Sequence, residues 1–363
     1  MTFKRIGFGI IAASALLTSG CNLTANSRAE GLLKSNILLY PPVFSADNKF
    51  LASSYHSKGS RGRWDIVVYD IEANKIWPMD LDKKYSWENP AFSPDGKYLA
   101  LLKACGWTCP DERKGKWLTL IDLKLDKPDP QPITNDDVYQ SVPAFSPDSK
   151  WITYFDSKYS VSKKDKSLVP KSKGLLIKKH NIETGVVKTV YEDADQKGWG
   201  ERSFFVSDTE LFAKILGSGN RKHLLHIRDD GDAMLATERP GLDWINNLHD
   251  YPNVEGASSG RIAFIGINRK WDTNAKESLS QQYDLYVHEN NQVRRITHEM
   301  TMTQGLRLSL DGRKAVIMGQ DYGSKAPHDV WIVDIETGAI NKTRMKQLLV
   351  DAVEAELKKN SKQ

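Results

Sequence analysis

Three stretches of this chain are near copies of one another: "FSADNKFLASSY" from Phe44, "FSPDGKYLALLK" from Phe92 and "FSPDSKWITYFD" from Phe145. Repetition constrains the fold before composition does, because each repeat must be a unit that cannot bury its apolar side alone. Aspartates mark the period at Asp47, Asp95, Asp148, Asp208 and Asp311, with a worn copy, "EGASSGRIAF", between the last two. The copy at Asp208 has drifted to "VSDTELF". Counting the worn one, six units occupy residues 41–343.

Every unit has the same grammar. An apolar-rich run follows the Asp turn, then a variable loop, then a second run such as "DIVVYDI" (65–71), "LTLIDL" (118–123), "DLYVHE" (284–289) or "DVWIVDI" (329–335). A short polar turn leads to a fourth run, as in "QPIT" (131–134), "VKTV" (187–190) and "RRIT" (294–297). Four short strand-like runs joined by turns leave no room for crossover helices. Asp95-Gly96 and Asp311-Gly312 are pairs favoured by a tight hairpin whose central positions need positive φ. The pattern predicts an all-β fold: a six-bladed β-propeller of four-stranded antiparallel blades, whose radial packing buries both faces of each sheet. The alternative, a parallel β-helix solenoid, has shorter coils than these units. Beyond them, residues 344–363 change character. Met345, Leu348, Leu349, Ala352, Val353 and Leu357 recur at helical spacing, predicting a short amphipathic helix packed back onto the propeller.

"PAFSPDGKYLAL" (90–101) and "PAFSPDSKWITY" (143–154), with the paired D-[IL]-x-V strands, resemble the WD-repeat-like blades of the six-bladed TolB-like propeller family. The resemblance covers residues 41–343. It implies the propeller fold and a use of the channel-mouth face for binding a protein partner, while the motif itself speaks for fold rather than function. Family members carry an additional α/β domain ahead of the propeller. Residues 21–40 are too few for one and read as a tether.

Residues 1–20 combine a basic start, Lys4 and Arg5, with the apolar run "IGFGIIAASALL" and the small residues before Cys21. This resembles a bacterial lipoprotein signal, in which Cys21 becomes the lipidated N-terminus. With Asn22 next, it implies an outer-membrane anchor and a domain facing the periplasm, held by acyl chains rather than a transmembrane helix. The alternative is an ordinary secretory signal. The formal charge of +5 loses Lys4 and Arg5 with the signal, too small a balance to argue for nucleic acid. Cys105 and Cys109, in "CGWTC", are an even pair in an exported chain and read as a disulfide clip. Closing so short a loop is worth on the order of 2 kcal/mol.

Catalytic patterns are sparse. "GASSG" (256–260) matches G-x-S-x-G but falls in a turn slot followed by a strand, not at a strand-to-helix elbow. His223 and His226 sit three apart on a strand, on opposite faces, so they do not share a metal. "RDDGDA" (228–233) lacks the ligand ladder of a calcium loop and reads as a hairpin turn. No metal, cofactor or catalytic constellation is expected.

Propeller topology puts the loops between second and third strands at the same end as the links between blades. Those loops are long and basic, together +13, and loop 157–174 alone is +5. The links run the other way, −8 in all. Link ends carry Trp87, Glu88, Tyr139, Trp199, Glu201, Arg202, Trp244 and Asp250, predicting an acidic, aromatic channel mouth. A basic rim of Arg61, Arg63, Lys163, Lys164, Lys166, Lys171 and Lys173 surrounds it. The bland alternative is a set of solvated turns. The sequence therefore reads as a non-catalytic, envelope-anchored binding or scaffold module for a protein partner. The runner-up is a propeller that binds or cleaves a glycan, with Glu88, Glu201 and Asp250 as its first acid/base candidates.

Overall fold

A computed structural model of the chain describes residues 37–57, 63–105, 116–125, 127–134, 142–156, 159–161, 168–170, 175–193, 200–216, 222–239, 254–257, 259–268, 282–297, 303–319 and 329–360. Six antiparallel sheets follow one another along the chain and form a six-bladed propeller; the last five pair their strands in sequence order, and a separate two-stranded ribbon, Tyr159–Val161 with Leu168–Pro170, belongs to none of them. Blade 2 is representative. Its strands are Ser86–Phe92, Tyr98–Ala104, Lys116–Asp122 and Gln131–Pro132. Blade 1 differs in starting at Leu38, earlier than the repeat suggests, because Leu38–Leu39 adds a fifth strand by pairing with His56 and Tyr55. In blade 5 the fourth strand is Gln292–Arg295, two residues ahead of the predicted "RRIT". In blade 3 it runs on to Asp193.

The repeated phrase is explained by the turn after each inner strand. In blade 2 the Ser93 hydroxyl donates to Asp95 Oδ1 at 2.6 Å and accepts from the Tyr98 amide, while Asp95 Oδ1 also accepts from the Lys97 amide. The same set recurs at Ser45/Asp47, Ser146/Asp148 and Ser309/Asp311. Each buried Ser thus satisfies backbone groups that the chain reversal would leave unpaired. This corrects the expected two-residue hairpin. The Gly96 amide bonds the Ser93 carbonyl, and only the residue after Asp takes positive φ: Asn48 (57°), Gly96 (69°), Ser149 (62°) and Gly312 (71°). A turn with Pro94 following Ser93 needs one left-handed residue, not two.

These turns also lace neighbouring blades. Asn48 Nδ2 donates to Asp311 Oδ2 (2.8 Å), the Asp95 amide to Ser149 Oγ (2.9 Å), and the Asp148 amide to Asp208 Oδ1 (2.8 Å). Arg261, 9% exposed, bonds the Gly312 carbonyl and the carboxylates of Glu289 and Glu336, stapling blade 5 to blade 6.

Among the described residues, no strand is exchanged between the first and last blades where the ring closes. Blade 1 packs Phe44, Leu51, Val67 and Tyr69 against Val316, Met318, Val330 and Ile332 of blade 6. Gly305 makes the approach possible, since a Cβ there would collide with Pro41. The C-terminal helix, Met345–Asn360, covers this seam by burying Met345 and Leu349 in the same cluster. Packing onto its own propeller is therefore as expected, but only over the first turns. Ala352 is exposed and Leu357, assigned to the apolar face, is 46% exposed.

Candidate functional site

Inner strands run from the link end of the molecule to the turn end, and their side chains wall a central channel. Its cavity measures about 90 Å³ and is lined by residues of all six blades, among them Val43, Ala91, Ala144, Arg202, Glu255 and Arg307. Around blades 1 to 3 the wall is apolar: Val43, Pro90, Ala91, Val142, Pro143 and Ala144. On the other side three charged side chains converge. Arg202 Nη2 donates to Glu255 Oε2 at 2.5 Å, and Arg202 Nη1 pairs with Glu255 Oε1. Arg202 also spans from blade 4 to the Leu306 carbonyl of blade 6 (3.5 Å). Arg307 Nη1 lies 3.4 Å from Glu255 Oε1 and donates to the Leu306 carbonyl at 2.7 Å. The side chains are 12%, 5% and 12% exposed for Arg202, Glu255 and Arg307. Burial pushes the Glu255 carboxyl up to about 7, against the pull of Arg202 and Lys214. The cluster forms the charged side of the channel wall.

At the link end, blades 1 and 2 present aromatic rings. Tyr40 and Trp64 lie 4.5 Å apart at 39°, with His56 5.5 Å from Trp64. Tyr40 is 43% exposed. On blade 2, Lys103 Nζ stands 3.6 Å above the Tyr85 ring. A second concavity, about 300 Å³, opens at the opposite end between the turns of blades 1 and 2, against Asp47 and Asp95. Both carboxylates are already engaged by their own Ser–Asp turns.

The predicted mouth residues divide. Trp87 is a correction: it is 2% exposed, part of the core between blades 1 and 2, and its indole N–H donates to the Asp82 carbonyl. Its position on the pleat turns it into the blade interface. Arg202 is central, but inside the channel instead of at its mouth. Glu88 accepts from Lys116 Nζ at 2.6 Å, so an acidic link end and a basic loop end neutralise each other there. Arg63 bonds Asp65 and the Lys83 carbonyl, which ties it onto its own blade and its link. Glu201 lies on the inner strand of blade 4. Tyr139, Trp199, Trp244, Asp250, Arg61, Lys163, Lys164, Lys166, Lys171 and Lys173 lie outside the described residues, as do Cys21 and Cys109. Cys105 is buried at the end of its strand. "GASSG" is the inner turn of blade 5 and "RDDGDA" the hairpin between its blade's last two strands, as read from sequence.

Glu255 and Arg307 escaped the sequence reading. A signal existed. In the slot before the residue preceding each inner turn, the copies read Val43, Ala91, Ala144, Phe204, Glu255 and Arg307, so two charges stand where the other blades are apolar.

No family model and no curated protein matches the chain. Among solved structures, the chain is similar to an oligogalacturonate lyase in complex with manganese (13% identity, 85% of this chain and 78% of that one, TM-score 0.51). It is also similar to a puromycin-hydrolysing peptidase of Mycobacterium tuberculosis (12%, 85% and 53%, TM-score 0.50). TolB from Acinetobacter baumannii matches at 17% identity over 85% of this chain and 68% of that one, with a TM-score of 0.45, too loose to argue from. The chain spans about half the length of that peptidase. At such identities these likenesses support the propeller fold alone. Among the described residues no group of three or more His, Cys, Asp or Glu could hold a metal, and no helix is long and apolar enough to cross a membrane.

Proposed function

We propose that the protein is a non-catalytic binding or scaffold module of the bacterial envelope. It is anchored in the outer membrane through lipidated Cys21 and holds a protein partner on its link-end face. One observation carries this reading. The channel cavity, about 90 Å³ and walled on one side by charged side chains, falls below the roughly 300 Å³ at which small-molecule pockets begin, whereas the link end offers the exposed Tyr40 ring against the half-buried Trp64. A partner segment would rest on Tyr40, Trp64 and Tyr85. The expectation from the sequence adds Trp199, Trp244, Tyr139, Glu201 and Asp250 to that surface, with Arg61, Lys163, Lys164, Lys166, Lys171 and Lys173 as its basic border. A Cys105–Cys109 disulfide would stiffen the neighbouring loop of blade 2.

The test is a photo-crosslinking residue at position 40 in intact cells, set against the same residue at exposed Val187 on an outer strand. A partner captured at 40 alone, and lost in Trp64→Ala, supports the proposal; equal capture at both positions removes it. Cys21→Ser should release the protein from membranes, and non-reducing peptide mapping should join Cys105 to Cys109. A glycan is the second reading, favoured by the tilted Tyr40–Trp64 pair, since sugar rings stack on aromatic faces. Binding to glycan arrays that Trp64→Ala abolishes, without protein capture, would select it.

A further inference from the structure

Lys103 is a half-buried cation at the link end that faces rings instead of a carboxylate. Its Nζ stands 3.6 Å above the Tyr85 ring and 5.9 Å from the Trp87 ring, and among the described residues it has no ion-pair partner. Other half-buried cations of blades 1 to 3 are neutralised inside the protein: Arg63 by Asp65 at 3.3 Å, Lys116 by Glu88 at 2.6 Å, and Lys178 by Asp156. The two aromatic faces hold the Lys103 ammonium in place and strip part of its water, but its three N–H donors still need acceptors. The Tyr40–Trp64 pair lies in the same corner. The Trp64 amide donates to Ser86 Oγ and the Trp64 carbonyl accepts from the Trp87 amide, both at 2.9 Å, which ties that pair beside Tyr85.

From this juxtaposition we infer that the corner between blades 1 and 2 takes an acidic polypeptide segment. An Asp or Glu carboxylate of that segment accepts from Lys103 Nζ, and a neighbouring apolar or aromatic side chain lies against Tyr40 and Trp64. The inference rests on the link-end reading and names the chemistry of its partner. Charge favours an acid, because a carboxylate would give Lys103 what Glu88 gives Lys116. A charge-assisted hydrogen bond beside desolvating rings is also stronger than one in open water. The rings favour a polypeptide, since adjacent residues deliver a carboxylate and an apolar group side by side, whereas a lipid headgroup brings charge alone.

The experiment compares two fluorescein-labelled peptides, Glu-Glu-Trp-Glu-Glu and Gln-Gln-Trp-Gln-Gln, binding to the mature full-length protein at low ionic strength, read by fluorescence anisotropy. The acidic peptide should bind about ten-fold tighter, and the preference should shrink as salt is raised. Lys103→Met, which keeps an unbranched chain on the Tyr85 ring, should abolish the preference, and Lys103→Arg should keep it. If Lys103→Met does not fold, Lys103→Gln serves in its place. Equal binding of the two peptides, or an undiminished preference in Lys103→Met, overturns the inference. Lys103-dependent binding of trigalacturonate or of phosphatidylglycerol vesicles, with no preference between the peptides, overturns it too and assigns the ammonium to a glycan or a lipid. Crosslinking from position 40 separates this inference from the reading it rests on. Capture in cells that persists in Lys103→Met removes the acidic segment alone, whereas a peptide preference without any capture removes the partner reading and leaves the chemistry of the corner.

Discussion

The two halves of the channel wall are made from the same repeat and have opposite chemistry. Blades 1 to 3 keep both the Ser–x–Asp turn and a small apolar residue in the channel slot: Val43, Ala91 and Ala144. Blades 4 and 5 have lost the Ser–x–Asp side-chain set of that turn, and blades 4 to 6 together supply Arg202, Glu255 and Arg307. Where the repeat is strict it serves the fold. Polar chemistry collects where the channel positions depart from the small apolar residue, even in blade 6, which keeps its Ser309–Asp311 turn, because a buried charge costs stability and persists only with a partner or a task.

The strongest way to break this contrast is to move charge across it. Glu255→Ala leaves Arg202 buried beside no carboxylate from blade 5 and should cost about 3–5 kcal/mol in chemical denaturation. Ala91→Glu plants a charge in the apolar half and should be as harmful; a neutral result there would erase the distinction between the halves. Trp87→Ala should cost about 3–5 kcal/mol as a core truncation, which separates it from Tyr40 at the exposed end, where substitution should leave the unfolding midpoint nearly unchanged.

pH sharpens the comparison. The raised Glu255 pKa means that the folded state holds a proton the unfolded chain has released between about 4.5 and 7. Stability should therefore fall as pH rises through that window, by at most about 3 kcal/mol, and then level off. Glu255→Gln should flatten that part of the curve. The turn aspartates act in the opposite sense. Burial works against ionising Asp47, Asp95 and Asp311, but hydrogen bonds from their turn serines and following amides outweigh it and hold all three below the usual carboxylate range. Their contribution is present above that range and lost as pH falls below it. The smallest effects belong to single turns: Asp95→Ala should cost about 1 kcal/mol, and Asp311→Ala somewhat more, because it also releases Asn48 across the ring seam.

Much of the fold was legible because local chemistry repeats. "FSPDG" needs a buried serine, a capping aspartate and one left-handed residue in sequence order, and every such phrase meant an inner strand followed by a turn. The helix at Met345 was legible for the same reason, through its spacing. The candidate site was mostly not. Trp87 and Tyr40 are both aromatic residues near strand starts, yet one is core and the other surface, since which face of the pleat meets the next blade depends on the packing of whole sheets. Arg202 was read as a channel-mouth residue, and its side chain pairs inside the channel with a glutamate 53 positions away.

The sequence by itself determined six antiparallel units, their turns and the end of the molecule where links and long loops gather, because those follow from short-range hydrogen bonding and apolar alternation. Only the tertiary structure decided that Arg202, Glu255 and Arg307 meet, that the C-terminal helix seals the seam between first and last blades, and that one side of the channel wall is charged. Those contacts join residues far apart in the chain, and they come into being only when the ring closes.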